Sequence, residues 1–341
     1  MNLRQLAAQL GLSQTTVSRA LNGYPEVSEA TRARVRGAAI AAGYMPNPRA
    51  RGLATGRAMA IGHVIPTSTS HEMMNPVFGD FIAGASETYL AAGYDMTLTL
   101  SGDADEADNY RRLKAKGNVD GIIVHGPRIE DGRIPFLTGL GMPFVVHGRA
   151  SNVGVPYSWV DMNNTGAFRR ATDFLLDLGH RRIALLNGLE VMDFAHRRRT
   201  GYLDALQARG IAPDPALMRG EEMTEPYGYR AARAMLALDA PPSAFLVSSL
   251  ISAIGVRRAI EQSGLTMGRD ISVLTHDDDF SYLSNGRDLP LFTATLSPVR
   301  EAGRLAAEML LRRVADPALP PETRLLEAQL ILGASTGPAP S

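Results

Sequence analysis

The chain holds 341 residues, 45% of them hydrophobic, and no cysteine. That content suffices for more than one buried core, excludes disulfides, thiolate metal sites and cysteine nucleophiles, and suits a reducing, cytoplasmic setting. The net charge of zero is unevenly spread: residues 1–58 carry eight arginines against Glu26 and Glu29, a surplus of +6 balanced by an acidic remainder. A basic head on an acidic body fits a polyanion partner for the head alone. No apolar run reaches the roughly 18 residues of a membrane span. The N-terminus lacks the apolar core of a secretion signal, so no targeting segment is expected.

Residues 6–22, LAAQLGLSQTTVSRALN, predict two short helices joined by a tight turn. Leu6, Ala7 and Leu10 give the first helix a buried face, Gly11 supplies the turn, and Ser13 caps the second helix. That second helix carries Gln14, Thr15, Thr16, Ser18 and Arg19 in place of an apolar stripe. These are groups able to touch base edges and phosphates. A third helix fits residues 28–42. Ser28 is its cap, Glu29 sits near its positive end, and Val35, Ala38 and Ile40 are its apolar positions; Gly43 ends it. Residues 1–45 thus form an all-α headpiece. Residues 46–58, rich in proline and glycine at their start, read as a linker. Its middle can form one or two helical turns, which need DNA or a partner chain to be ordered.

From residue 60 the pattern becomes short apolar runs alternating with amphipathic helices. Strands fit residues 60–66, 94–100, 120–124, 142–148, 182–188, 244–249, 271–277, 292–298 and 324–332. Helices fit near 76–92, 103–117, 164–179, 193–210, 225–238, 249–263 and 299–313. Such alternation implies parallel sheets covered on both faces. The rhythm runs twice, so residues 59–335 form two doubly wound α/β lobes. The first is expected over 59–160 plus 293–320 and the second over 161–292 plus 321–335, with a disordered tail at 336–341. Open α/β sheets bind ligands beyond the C-terminal ends of their strands, which places a sensor site in the cleft between lobes.

Several motifs carry a family resemblance. They are LSQTTVSRALNG, EVSEATRARV and GYMPNPRARGLATGRAMAIG in that order, then NPVF at 75–78, DFLLDLGHRRIALLNG at 173–188, HRRRTGYLDAL at 196–206 and HDDD at 276–279. The chain resembles the LacI/GalR transcription regulators over nearly its whole length, and some segments are similar to regulators of alpha-glucoside operons. The resemblance implies a helix-turn-helix headpiece on a periplasmic-binding-protein-like body. It places Ser13, Gln14, Thr15, Thr16, Ser18, Arg19 and Asn22 at the major groove and its flanking phosphates. Arg19 suits guanine and Gln14 adenine. Leu53 matches a hinge leucine wedged into the minor groove. Pro48 and Gly52 depart from the usual hinge and disfavour helix, which implies a hinge that melts easily.

In the body, the resemblance gives Arg198 and Asp277 to the ligand. An arginine facing a carboxylate suits vicinal hydroxyls. Asp278 is expected as a structural partner at a helix start. Pro76, Phe78, Phe194 and Ser249 are further pocket candidates. Phe194 or Trp159, the only tryptophan, can stack on a sugar ring; core packing is the equal alternative for Trp159. Many relatives carry a polar pair after the strand at 244–248, and Ser249-Leu250 lacks its acid, so no particular sugar carries over.

The enzyme readings find little support. No G-x-S-x-G, HExxH or phosphate-loop motif occurs. Four metal ligands are not expected from the HDDD tetrapeptide, because consecutive residues leaving a strand alternate in direction. No enzyme activity, cofactor or metal is expected. A free sugar receptor would share the two lobes but needs a secretion signal and no basic head. The expected function is therefore a repressor that binds a two-fold operator as a homodimer, with a tetramer open. A sugar effector releases it. The alternative is a corepressor-dependent regulator that responds to a non-sugar metabolite.

Overall fold

The structure, a computed structural model, describes residues 1–44, 57–66, 76–102, 106–286 and 288–340. Most of the expected linker helix, with Pro48, Gly52 and Leu53, lies outside the described residues. The chain divides into two compact units, Met1–Met59 and Ala60–Ser341.

The first unit is three helices, α1 (Leu3–Leu10), α2 (Gln14–Leu21) and α3 (Glu29–Ala41). Asn2 and Gln5 close a capping box on α1, and the Ser13 Oγ accepts from the Thr16 N–H at 3.0 Å to cap α2. Gly11 turns the chain between them at φ +64°, a left-handed conformation in which a side chain would be strained. Leu6, Val17, Ala20, Val35 and Ala39 fill the core. Ile40, expected on the buried face, is instead 81% exposed. Val35 and Ala39 stand four residues apart on one helix stripe, and Ile40 falls about 100° off it.

The second unit holds two six-stranded sheets. The first contains β1 (Ala60–Pro66), β2 (Asp95–Ser101), β3 (Gly121–His125), β4 (Phe144–His147), β5 (Trp159–Met162) and β11 (Thr323–Leu326), in the order β11-β5-β4-β3-β1-β2. The second contains β6 (Ile183–Asn187), β7 (Met218–Gly220), β8 (Ala244–Val247), β9 (Ser272–Asp277), β10 (Thr293–Leu296) and β12 (Gln329–Ile331), in the order β12-β10-β9-β8-β6-β7. Every pairing is parallel except β10 with β12. Strands β3, β6, β8 and β9 are buried along their full length, as strands in a sheet covered on both faces are, although β9 carries Ser272, Thr275, His276 and Asp277 among its buried residues.

The C-terminal third departs from expectation. The strand at 292–298 joins the second sheet as β10 rather than the first lobe. The segment 324–332 is two strands, one in each sheet. The chain therefore passes between lobes three times: after β5, after β10 and between β11 and β12. The helix Arg133–Leu140 and strand β7 were not apparent from periodicity. The expected disordered tail is also tied down. Ser335 is fully buried, the Gly337 N–H donates to Ser272 Oγ at 3.0 Å, and the Ala339 N–H donates to the Leu178 carbonyl at 2.8 Å. Backbone groups bonded to lobe two replace the disorder that its proline content suggested.

The covering helices cross in close pairs. They are α4 (Pro76–Ala91) with α11 (Val299–Ala315), α7 (Asn164–Asp177) with α8 (Asp193–Ala208), and α9 (Glu225–Leu236) with α10 (Leu250–Gln262); α5 (Glu106–Lys116) and α6 (Arg133–Leu140) complete the set. Glycines permit these crossings. A Cβ on Gly303 would lie 2.0 Å from the Phe81 carbonyl oxygen, and one on Gly84 2.0 Å from that of Arg300. Gly303→Ala is expected to destabilise the body by at least about 1–3 kcal/mol through forced helix separation. Gly79→Ala, on the same α4 but facing open space, is expected to be neutral or stabilising. Urea midpoints of the two variants check this.

Candidate functional site

Two sites emerge, one in each unit. In the headpiece, Val17 and Ala20 turn inward, while Gln14, Thr15 and Arg19 stand exposed and Thr16, Ser18 and Asn22 are half-buried. Ser13 Oγ and Thr16 Oγ1 lie 2.8 Å apart, so capping engages both. Asn22 ends α2 and its amide reaches Ser18 Oγ at 3.5 Å. Arg32 and Arg34 are committed to the Gly23 and Leu10 carbonyls. The guanidinium of Arg19 makes no bond or ion pair among the described residues, which leaves it available to a partner.

In the body a cavity of ≈ 170 Å³ lies between the lobes. Phe78, His147, Arg149 and Asp161 line it from lobe one. Phe194, Arg198, His276 and Asp278 line it from lobe two. Arg198, on α8, is 5% exposed. Its Nε donates to Asn164 Oδ1 at 2.8 Å and its Nη1 to the Ser248 carbonyl at 2.7 Å. The Phe194 and Phe168 rings flank its Cζ at 4.9 and 5.1 Å. Burial lowers its pKa to about 10, against the opposing pull of Asp278 and Asp161; it stays charged. Burial pushes the Asp278 carboxyl up, but His276, Arg198 and His147 outweigh burial and hold it below its usual value. Arg149 Nε donates to Asp161 Oδ2 at 2.8 Å, and burial raises Asp161 to about 6.

The two aspartates exchange their expected places. Asp278 lines the cavity and Asp277 does not. Asp277 Oδ1 accepts from the Asp279 N–H at 3.0 Å, and burial raises its carboxyl to about 6. The alternation of β9 explains the exchange: His276 and Asp278 project to one side and Asp277 to the other. Ser249 lies off the wall and caps α10, its Oγ accepting from the Ile251 N–H at 3.2 Å. Pro76 opens α4 one residue short of the wall, where Val77 and Phe78 stand. Trp159 also lies off the wall, under Arg149, whose Cζ sits 5.2 Å from its ring. Sequence reasoning missed His147, Arg149, Asp161 and Asn164. Their only signal was a position near the end of a strand or, for Asn164, at the start of a helix, which many residues share.

It also missed a buried histidine chain in lobe one. His63 Nδ1 meets His125 Nε2 at 3.1 Å, and His125 Nδ1 meets His147 Nδ1 at 3.3 Å. His63 Nε2 meets the Tyr89 hydroxyl at 3.2 Å. The three sit on adjacent strands β1, β3 and β4, and His147 stacks on Phe81 with centroids 4.0 Å apart. Burial lowers His63 to about 3 and His147 to about 4, and holds His125 well below its usual value. All three are neutral near pH 7.

Residues 2–47 match the family model of bacterial regulatory proteins, lacI family, and residues 172–336 match the periplasmic binding protein-like domain. The chain belongs to the lacI family and is a DNA-binding transcription regulator. It is 46% identical over 340 residues to the HTH-type transcriptional regulator AglR of Rhizobium meliloti (strain 1021), covering 100% of this chain and 95% of that protein. The solved lac repressor dimer bound to operator and the anti-inducer ONPF is similar with a TM-score of 0.83 and 25% identity, over 99% of each chain. The transcriptional regulator CelR–cellobiose complex is similar with a TM-score of 0.72 and 28% identity, over 98% of this chain and 99% of that one. Among the described residues no helix is long and apolar enough to cross a membrane.

The histidine chain has a measurable consequence. Below pH 6.5 the unfolded chain binds protons at His63, His125 and His147 that the folded chain refuses, so stability falls as pH falls. Asp161 and Asp277 oppose this between about pH 6 and 3.8, where the folded chain binds the extra proton. His180 and His276, which burial also lowers, add to the three, so five groups outweigh two, and each proton of difference is worth about 1.4 kcal/mol per pH unit. Urea unfolding is expected to show lower stability at pH 5 than at pH 6.5. Constant or rising stability over that range would mean that the histidines are charged in the fold.

Proposed function

We propose that this protein represses a carbohydrate-utilisation operon and is released from its operator by a sugar bound between the lobes. The observation that carries this reading is the cavity itself, where a guanidinium (Arg198), a carboxylate (Asp278) and an aromatic face (Phe194) border one enclosed space. A carboxylate accepts two hydroxyl hydrogen bonds and a guanidinium donates to the same class of group. An aromatic ring covers the apolar face of a pyranose. The solved CelR complex, with cellobiose, supports a sugar as the effector. The resemblance of sequence segments to alpha-glucoside regulators makes alpha-glucosides the first sugars to try.

On DNA, α2 enters the major groove. Gln14, Thr15 and Arg19 choose bases there, and Ser13, Thr16, Ser18 and Asn22 meet the groove and its flanking phosphates. Two copies bind a two-fold site, as the lac repressor dimer does on its operator. The residue 46–58 linkers meet over the central minor groove, where Leu53 wedges between bases. The protein acts in the cytoplasm, where its operator lies. Sugar binding favours one arrangement of the lobes, and its differential affinity sets the size of the switch.

Two measurements test this. On a genomic fragment selected by binding, Arg19→Ala is expected to lose about 1–3 kcal/mol of affinity and relax selectivity. Unchanged footprints would contradict the placement of α2. A thermal-shift screen against mono- and disaccharides, including maltose and sucrose, is expected to find a stabilising sugar that also lowers DNA retention. Asp278→Asn should abolish the response to that sugar while DNA binding persists. Asp277→Asn should leave the response intact, and the reverse outcome would return Asp277 to the site.

A further inference from the structure

The cavity wall holds one buried polar atom that the fold leaves unanswered. His276, on β9, is 1% exposed. Its Nδ1 lies 2.9 Å from Thr295 Oγ1. Its Nε2 is buried and has no hydrogen-bond partner. Asp278 Oδ1, 3.4 Å from Nε2, attracts it electrostatically without completing a hydrogen bond to it. Three other buried side-chain atoms share this condition among the described residues, and all belong to arginines away from the cavity. An unanswered buried imidazole nitrogen destabilises the fold. On the wall of a cavity, such an atom is open to a partner that enters the cavity.

We propose that His276 and Asp278 together clamp a single hydroxyl of the effector, so that the site selects an uncharged polyol at that position. The inference deepens the sugar reading above and rests on it. Burial and the nearby Arg198 keep His276 neutral, so it carries one ring proton. The Asp278 carboxylate draws that proton to Nε2, and the Thr295 hydroxyl then donates to Nδ1. A ligand oxygen set between the two side chains accepts from His276 Nε2–H and donates its own hydrogen to Asp278. A hydroxyl meets both demands with one atom. A carboxylate or phosphate oxygen has no hydrogen for Asp278, and an ammonium has no lone pair for His276. Arg198, on the same wall, stands ready to donate to a neighbouring hydroxyl. The clamp thus supplies selectivity that the arginine alone lacks, since a guanidinium also welcomes anions.

The test titrates wild type, His276→Phe and His276→Gln with maltose, sucrose, melibiose and methyl α-D-glucopyranoside, then with monodeoxy derivatives of the tightest binder. His276→Phe is expected to weaken that sugar at least tenfold. His276→Gln, whose amide N–H replaces Nε2–H, should stay within threefold of wild type. One monodeoxy derivative should bind wild type at least tenfold more weakly than the parent and suffer no further loss in His276→Phe. That coupling to one hydroxyl is a signature that a merely structural role would not produce. Parent affinity unchanged in His276→Phe, or a loss spread equally over all derivatives, overturns the clamp and leaves the sugar reading standing. Wild type that binds none of the four sugars overturns both. Should His276→Phe fail to fold, the clamp still stands or falls on His276→Gln and the derivatives: every derivative within threefold of the parent on wild type rejects it.

Discussion

One buried charge organises the sensor body. Arg198 is enclosed by protein, and among the described residues no carboxylate lies within ion-pair distance of its guanidinium. Its direct partners are two neutral acceptors, the Asn164 amide and the Ser248 carbonyl. Burying a charge this way costs several kcal/mol even after relaxation. The arrangement ties three elements to one point: the start of α7, the body of α8 and the exit of β8. The Phe168 and Phe194 rings recover part of the cost through their quadrupoles. A fold selected only for stability would put an apolar side chain here.

The lobes are joined by three passages of the chain and by bonds across the gap. Asp193 of lobe two accepts from the Ser151 N–H of lobe one at 2.5 Å, and Asp80 of lobe one accepts from the Ser281 N–H of lobe two at 3.0 Å. Each lobe is internally stiff, because its covering helices approach to backbone contact at glycines. Stiff lobes on three strands of chain rearrange by moving relative to one another, with little deformation inside either. A ligand bridging Asp278 on one wall and His147 or Arg149 on the other shifts that balance by its difference in affinity for the two arrangements.

Local patterns were legible and non-local ones were not. The capping serines, Gly11 and the alternation of apolar runs each act within a few residues, so the headpiece and the two-lobed body could be read directly. Ile40 was misplaced by one residue because Ala38, Ala39 and Ile40 are all apolar, and only packing selects the phase. Asp277 and Asp278 were exchanged because nothing in an HDDD tetrapeptide states which side of β9 faces the cleft. The second-sheet place of β10 depends on a pairing that composition does not record. The chain from Tyr89 through His63 and His125 to His147 links residues up to 84 positions apart only because three parallel strands lie side by side. The regular HTH segment announced its role through sequence alone. The cavity wall instead draws residues from both lobes, each a common residue type in an unremarkable local context.

The central claim is that Arg198 is kept for the ligand at the expense of the fold, and Arg198→Met tests it most directly. The methionine fills a similar volume without a charge, so its urea unfolding is compared with that of wild type, in the absence and presence of the sugar found to stabilise wild type. The account predicts a sugar-free variant within about 1 kcal/mol of wild type or more stable, since removal of the desolvated charge offsets the two lost hydrogen bonds and the lost attraction of Asp278 and Asp161, and no stabilisation by the sugar. A variant several kcal/mol less stable that still gains the full stabilisation from sugar would contradict it.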